Sequence, residues 1–383
     1  IFNRDSMPYG TLIEEKVLCS ASFEVGAQAI MFVSEAKGDT VWGIEDSVDF
    51  SAPVMITVYP YDGITTKTYE ARLNVHQVDP ESMVWQKHSD FIADRMFRDI
   101  QVIRYKDRYS MYAFDGDGYS LYRTDTAEMT VWEKSPLSGL QGNILLSQIT
   151  EYEGRLYVIT EQGELYGSED GLEWTKDGDA PKLKSLLGQI SGNPTNKGSK
   201  LTAIADLDGA LNFVAMNNDK EWTTGDAVPE TFPLSEFGRL NYESMYYPRI
   251  VIASGRNVGN NLSDKAWSTM DGLKWVQLSN DRSTFTAREG AALSYYDNCF
   301  YLIGGVDDLG VALKDVYCSK DYGVTWADTS YVMPEEYDPR GFSSVIIDKE
   351  NYMLLFGGKA STDTNVLNEL WRGRINRLGF KEE

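Results

Sequence analysis

A tryptophan recurs at intervals of 42, 48, 53 and 51 residues through most of this chain, and each one is preceded by an aromatic residue eight to ten positions earlier. A period of this length is typical of repeat architectures in which every unit is one supersecondary element. Each aromatic pair is interpreted as two strands of a hairpin. The tryptophans are Trp132, Trp174, Trp222, Trp275 and Trp326, and the earlier aromatics are Tyr122, Tyr166, Phe213, Trp267 and Tyr317.

The turns inside these hairpins carry a motif that is similar to the Asp-box. Residues 319–326 read Ser-Lys-Asp-Tyr-Gly-Val-Thr-Trp, and shortened forms occur at 168–174 and 269–275. Serine and aspartate side chains cap the backbone of a turn, glycine takes a positive φ, and the tryptophan covers the hairpin. We therefore interpret the motif as a folding element and not as a catalytic one.

Two blades end an apolar strand in a kelch-like glycine pair, at Gly304-Gly305 and at Gly357-Gly358, and Ser254-Gly255 is a weaker copy. With four strands per unit, the blades are placed at 97–133, 143–175, 185–223, 239–277, 289–328 and from about 341. The fold class predicted is all-β, with a six-bladed β-propeller over 82–383.

The sixth blade lacks a tryptophan-led outer strand. Residues 84–87, with Trp85 lying 47 positions before Trp132, have the form of such a strand without its partners. A strand near 83–88 is expected to close the ring, which removes exposed sheet edges. Phe380 is the alternative closing residue.

Residues 1–78 lack the period, but Val54, Ile56 and Val58 alternate with polar residues, as expected of a half-buried strand. This region is predicted to be a small immunoglobulin-like β-sandwich whose first strand is cut short at Ile1. Residues 78–81 are read as a linker.

Composition excludes several classes of function. The formal charge of −22 opposes binding to nucleic acid. No run of apolar residues reaches the roughly 18 that a membrane span needs. The cysteines Cys19, Cys299 and Cys318 lack metal-ligand spacing and are read as free thiols, although Cys299 and Cys318 fall on paired strands where a bridge stays open. No metal and no cofactor is expected, and the chain is expected to be a monomer.

The layout resembles a family of exported Bacteroidetes proteins of unestablished activity, with an immunoglobulin-like module before a kelch and Asp-box propeller. Residues 1–10 and 371–380 carry this resemblance, which covers essentially the whole chain. It implies a periplasmic or cell-surface location, a lipid anchor, and a role in adhesion or carbohydrate association.

An arginine is expected at the start of the inner strand in four blades, and Asn143 falls near the equivalent place in blade two; the arginines are Arg98, Arg239, Arg288 and Arg340. Equivalent positions of a propeller converge on its axis, so these side chains are predicted to bind an anionic ligand such as a uronic, sialic or sulfated sugar. The alternative is that each arginine neutralises a carboxylate, such as Asp99 or Glu289, and locks blades together.

Loops on the same face add Arg256, Asn257, Asp307 and Lys359 as candidate ligand-binding residues. Function concentrates on such loops. The function predicted is a non-enzymatic envelope protein that binds a glycan or a partner protein.

The alternative is a glycan-active enzyme. With two histidines, His76 and His88, a copper site or a Ser-His-Asp hydrolase on the propeller is disfavoured. A pair of carboxylates is sufficient for glycoside hydrolysis, so a glycosidase at the propeller mouth stays open.

Overall fold

The computed structural model describes residues 1–14, 17–20, 27–34, 38–41, 43, 45–62, 64–90, 95–124, 129–192, 198–243, 247–279, 284–329, 331–362 and 364–379. The chain divides into two compact units, Ile1–Ser82 with Ile375–Glu383, and Met83–Arg374. Within the described residues of both units, the helical structure consists of two 3₁₀ turns, Leu146–Gln148 and Asn376–Gly379. None of the described helices has the length and apolar character of a membrane span.

The first unit contains a four-stranded antiparallel sheet and a two-stranded sheet. In chain order its strands are β1 (Val17–Leu18), β2 (Ala27–Ser34), β3 (Gly38–Val41), β4 (Ser47–Val48), β5 (Val54–Pro60) and β6 (Lys67–Ala71). The larger sheet has the order β3-β2-β5-β6, and β1 pairs with β4. Ile30, Val48, Phe50, Val54 and Ala71 form its core. The immunoglobulin-like arrangement stays a prediction.

The second unit is a β-propeller of six four-stranded antiparallel sheets, which confirms the predicted all-β fold class. Its strands are β7 (Met83–Ser89); β8 (Asp99–Tyr105), β9 (Arg108–Phe114), β10 (Tyr119–Thr124) and β11 (Glu133–Pro136) of blade one; β12 (Thr150–Tyr152), β13 (Arg155–Ile159), β14 (Leu165–Ser168) and β15 (Thr175–Lys176) of blade two; and β16 (Leu183–Ile190), β17 (Lys200–Leu207), β18 (Ala210–Met216) and β19 (Trp222–Ala227) of blade three.

Blades four to six follow in the same way. Their strands are β20 (Pro233–Ser235), β21 (Gly238–Tyr242), β22 (Arg249–Ala253), β23 (Arg256–Asn257), β24 (Ala266–Thr269) and β25 (Val276–Gln277) of blade four; β26 (Ala292–Tyr296), β27 (Cys299–Val306), β28 (Ala312–Ser319) and β29 (Ala327–Asp328) of blade five; and β30 (Ser344–Ile347), β31 (Met353–Phe356) and β32 (Leu370–Ile375) of blade six. In blade four, β20 and β23 pair as a separate two-stranded sheet.

Strand β7 is the outer strand of blade six, in a sheet of order β30-β31-β32-β7. Trp85 of β7 packs on Gly373 of β32, where a Cβ atom would lie 2.5 Å from the indole, so only glycine leaves room for the ring. Lys87 Nζ lies 3.0 Å from Glu369 Oε1, which adds an ion pair to the same junction. The first and last strands of the propeller therefore share one sheet, and the ring has no open edge there. Phe380 lies outside the described residues.

The hairpin turns share one hydrogen-bond pattern. In blade five, Ser319 Oγ accepts from Gly323 N at 2.8 Å, and Asp321 accepts from Thr325 N at 2.8 Å and from Thr325 Oγ1 at 2.6 Å. The turns at 168–171 and 269–272 repeat the capping by Ser168 and Asp170, and by Thr269 and Asp271.

These turns also dock on the preceding blade. Gly171 and Gly272 both have a φ of +77°. A Cβ at Gly171 would collide with Tyr112 of blade one, and a Cβ at Gly272 would collide with Thr202 of blade three. The motif thus fixes a turn and a contact between blades.

Replacing Asp321 with alanine is expected to destabilise the propeller by about 1–2 kcal/mol, because three turn donors, Ser319 Oγ, Thr325 N and Thr325 Oγ1, lose their acceptor. The measurement is the midpoint of denaturant unfolding. Asp328→Ala, at an exposed position of β29 in the same blade, is the matched control and should leave the midpoint unchanged. Equal midpoints for the two variants would contradict a structural role for the turn.

Candidate functional site

A cavity of about 480 Å³ lies where the inner strands of blades one, four, five and six begin. We call it the mouth. It is lined by charged and polar groups from several blades together with the aromatic side chains of Phe237 and Phe342. A second cavity, of about 980 Å³, belongs to the first unit and is lined mostly by apolar side chains such as Phe50 and Val58. Convergent polar groups in a concave site are the usual mark of ligand binding, so the mouth is the candidate site.

Two ion pairs line the mouth. Arg256 binds Glu289 with both branches of its guanidinium, Nε to Oε2 at 2.5 Å and Nη2 to Oε1 at 2.6 Å. Lys359 Nζ lies 3.6 Å from Asp99 Oδ1, beyond hydrogen-bonding distance for this pair, and 5.4 Å from the centre of the Phe342 ring. The first pair is tightly held and the second is looser.

Glu236 is the third carboxylate of the mouth, and it is half-buried. Within the described residues its carboxylate has no hydrogen-bond or ion-pair partner. The hydrogen bond that Glu236 does make is through its backbone carbonyl, which accepts from Gly290 N at 2.7 Å. Its φ is +52°, in the left-handed region that a residue with a side chain seldom adopts.

Burial raises the pKa of Glu236 to about 7, with a further increase from the negative charges of Asp99 and Glu289 and an opposing effect of Lys359 and Arg256. Burial also raises the pKa of Asp99, against the attraction of Lys359. A carboxyl group that titrates near neutrality inside a cleft is typical of functional sites, although ion-pair networks shift pKa values as well.

The rim of the mouth repeats from blade to blade. Glu236, Gly290 and Phe342 occupy equivalent positions two residues before the inner strand, and all three have a positive φ. Phe342 N donates to Gly290 O at 2.6 Å, which continues the bond from Gly290 N to Glu236 O. The side chain of Glu236 is therefore carried on a hydrogen-bonded backbone that links blades four, five and six.

Arg288 and Arg340 lie away from the mouth lining and are buried. Arg288 Nη1 donates to Asp315 Oδ1 at 2.6 Å and to the carbonyl of Gly304 at 2.9 Å. Arg340 repeats this arrangement with Glu369 Oε2 at 2.8 Å and Gly357 O at 3.2 Å.

The main chain of each of these arginines contacts the preceding blade. The carbonyl of Arg288 accepts from Gly255 N and that of Arg340 from Gly305 N. The geometry thus favours the structural alternative, in which the arginines lock adjacent blades. The carboxylates that pair with these two arginines are Asp315 and Glu369. The sequence-based expectation of a pairing with Asp99 or Glu289 is wrong, because those two carboxylates pair with Lys359 and Arg256.

The expected ring of four equivalent arginines is also corrected, because the connections into the inner strands differ in length. Arg288 and Arg340 each lie four residues before their strands, whereas Arg239 is the second residue of β21 and Arg98 directly precedes β8. Arg98 is exposed, and Arg239 lines the mouth. Arg239 donates to Ile149 O at 2.8 Å and to Thr150 Oγ1 at 2.5 Å, and burial lowers its pKa to about 10.

The loop candidates separate into two groups. Arg256 and Lys359 line the mouth. Asn143 is exposed and donates to Glu161 at 3.1 Å, and Asn257 and Asp307 use their side-chain oxygens to cap their own loops. Of the nine predicted binding residues, the structure thus brings Arg239, Arg256 and Lys359 together in the mouth.

Sequence reasoning did not single out Glu236. Superposing blades four and five on Ser254-Gly255 and Gly304-Gly305 sets position 236 against position 286, whereas in the structure Glu236 is equivalent to Gly290. No motif reports this register, because the chain between the rim and the glycine motif is four residues longer in blade four than in blade five.

These observations define an all-β protein whose propeller mouth is the candidate site. Residues 79–383 match the family described as the DUF6242 beta propeller domain, and residues 1–73 match its N-terminal domain of unknown function. The chain belongs to this family. A search of curated proteins gives no match.

Among solved structures, the chain is similar to one titled "Structure of YjhT", with a TM-score of 0.54 and 12% identity over 74% of this chain and 97% of the other. At that identity, the likeness shows the fold alone.

Glu369→Gln is expected to lower the free energy of unfolding by about 3 kcal/mol at pH 7, because it leaves the buried Arg340 without its counter-ion. Burial acts to raise the pKa of Glu369, but hydrogen bonds from Trp371, Arg340 and Lys87 outweigh it and lower the pKa to about 2. The stabilisation is present above the ordinary value of 4.5 and is lost as the pH falls towards 2.

The measurement is the difference in unfolding free energy between wild type and Glu369→Gln from pH 7 down to pH 2.5. The difference should shrink below pH 4.5, and Glu335→Gln, at an exposed position, should match the wild type throughout. A difference in unfolding free energy that stays constant with pH would contradict the ion-pair explanation.

Glu236→Gln is expected to raise the free energy of unfolding above neutral pH, whereas Glu369→Gln lowers it. Because the folded pKa of about 7 lies above the ordinary 4.5, the folded state holds an extra proton between these values, and wild-type stability falls as the pH rises through that window. Glutamine mimics the protonated acid, so the variant should be more stable than wild type by about 1–3 kcal/mol at pH 8 and nearly equal at pH 4.5.

Chemical denaturation at the two pH values measures this. Glu230→Gln, an exposed residue in the connection that leads to β20, serves as the control. A variant that is less stable than wild type at pH 8 would show that the ionised carboxylate is stabilised by partners and is not strained.

Proposed function

We propose that this protein is a binding protein of the cell envelope and that the propeller mouth binds a hydroxyl-rich ligand, such as the terminal sugar of a glycan. The observation that carries the proposal is the combination, in one cavity of about 480 Å³, of carboxylates, cations, serine hydroxyls and aromatic surface from blades one, four, five and six. Such a mixture suits a sugar, which presents hydroxyl groups on its rim and C–H groups on its faces.

The charge pattern favours a ligand without a strong negative charge. Arg256 is engaged by Glu289, and Lys359 is the nearest cation to Asp99, so neither is free to bind an anion without losing a partner. Sulfated and uronic sugars, which the arginine alignment suggested, are accordingly less favoured than neutral ones. The envelope location and a lipid anchor rest on the resemblance of the two chain ends to exported proteins, and the kelch and Asp-box assignment rests on the repeat motifs.

Glycan cleavage is the second candidate function. It is favoured by the raised pKa of Glu236 next to carboxylates that are paired with cations, because a proton donor beside an ionised carboxylate is the pattern of glycoside hydrolases. Release of reducing ends from a bound glycan would identify this activity.

Replacing Phe342 with glycine is expected to weaken binding of a neutral glycan about tenfold or more, because an aromatic wall of the mouth is lost. Its φ is +61° and Gly290 is the equivalent residue in blade five, so glycine suits the backbone. The measurement is affinity for a panel of neutral, uronic, sialylated and sulfated glycans.

The matched control is Tyr322→Gly. Tyr322 is also aromatic and left-handed, with a φ of +59°, but it lies in the hairpin turn of blade five and outside the mouth lining. Loss of binding in Phe342→Gly with retention in Tyr322→Gly supports the mouth. Glycan binding that both variants retain would place the site elsewhere, and a panel without any binding would reject the glycan proposal in favour of a protein partner.

A further inference from the structure

Among the described residues that line the mouth, Glu236 is the carboxylate whose side chain has no hydrogen-bond or ion-pair partner. Four charged groups act on Glu236: Asp99 from blade one, Arg256 from blade four, Glu289 from blade five and Lys359 from blade six. These four form two pairs, Arg256 with Glu289 and Lys359 with Asp99. Arg239, the remaining cation of the lining, donates to Ile149 and Thr150 in blade two instead. Glu236 is thus the carboxylate of the lining without an ion-pair partner among the described residues, and the cation without one, Arg239, is directed to neutral acceptors in blade two.

A cation from outside would complete this arrangement. Asp99 and Glu289 add negative potential at Glu236, and an ammonium group, which can donate up to three hydrogen bonds, is attracted by such carboxylates. Negative charge on the protein as a whole, −22, attracts cations at long range. A ligand carboxylate in the same place would add a second negative charge beside Glu236.

A metal ion does not fit this role. Among the described residues, no three histidine, cysteine, aspartate or glutamate side chains are grouped so that they could share a metal. The volume of the cavity, about 480 Å³, also suits an organic molecule better than a bare ion.

Resting on the proposed sugar site, we infer that the ligand carries a primary ammonium group and that Glu236 is the residue that recognises it. The ligand class is thus an amino sugar with a free amine, as opposed to a neutral, acetylated or acidic sugar. In this arrangement the Arg256–Glu289 and Lys359–Asp99 pairs form part of the cavity lining, and the rings of Phe237 and Phe342 contact the sugar.

Direct titration with hexoses that carry one amino group, at carbon 2, 3 or 6, tests this against glucose as the neutral reference. At pH 8 the carboxylate of Glu236 is ionised, and an aliphatic amine at carbon 6 stays protonated like a lysine side chain. At least one amino hexose is expected to bind about tenfold or more tightly than glucose, because a desolvated charge-assisted hydrogen bond is gained. The advantage should decrease at pH 6, where Glu236 holds a proton.

Glu236→Gln should remove this advantage, so that amino hexoses bind to the variant no more tightly than glucose does, and Glu230→Gln should preserve the advantage. Acetylation of the amine should also abolish the advantage. If every amino hexose binds no better than glucose, the inference is wrong while the sugar site stands. If neither kind of sugar binds, the proposed function fails as well. Tighter binding of a uronic acid at pH 6 than at pH 8 would overturn the inference by showing that protonated Glu236 receives an anion.

Discussion

Closure of the ring through β7 is the constraint on which the rest of the propeller depends. A propeller made of open sheets would leave two unpaired edges, and strand pairing between the first and last segments of the unit removes them. The junction is reinforced where Lys87 of β7 binds Glu369. Glu369 in turn holds Arg340, whose carbonyl accepts from Gly305 of blade five. A continuous path of charged and backbone hydrogen bonds therefore runs from the closing strand into the neighbouring blade.

That path reaches the mouth. Arg340 lies two residues before Phe342, which donates to Gly290, and Gly290 donates to Glu236. The position of the candidate carboxylate is thus set by the same inter-blade bonds that keep blades four to six together. This explains why the site can hold a side chain in the left-handed region, since each backbone bond restricts the freedom of the next.

The repeat could be predicted from the sequence because the features that specify it are local. Trp174 and Trp326 are buried in their hairpins, and the Ser168 and Asp170 pattern caps a turn within four residues, so each motif reports its own structure. The mouth depends on register between blades, which a local motif does not report. Arg239 and Arg288 look equivalent along the chain, yet their strands begin at different distances from them. Arg239 lines the mouth, whereas Arg288 is buried against Asp315. Glu236 has no motif at all, and its importance follows from its neighbours in space.

Glu236 combines two unfavourable features at one residue. A residue with a side chain in the left-handed region costs about 1–2 kcal/mol relative to the right-handed one, and a carboxylate taken from water without a partner costs more. Blade five avoids both with Gly290, and blade six avoids the second with Phe342. Sequences that depart from local rules without a compensating contact do so most often at functional sites, where stability is exchanged for activity. The compensating contact for Glu236 is missing from the described residues and is supplied, in our proposal, by the ligand.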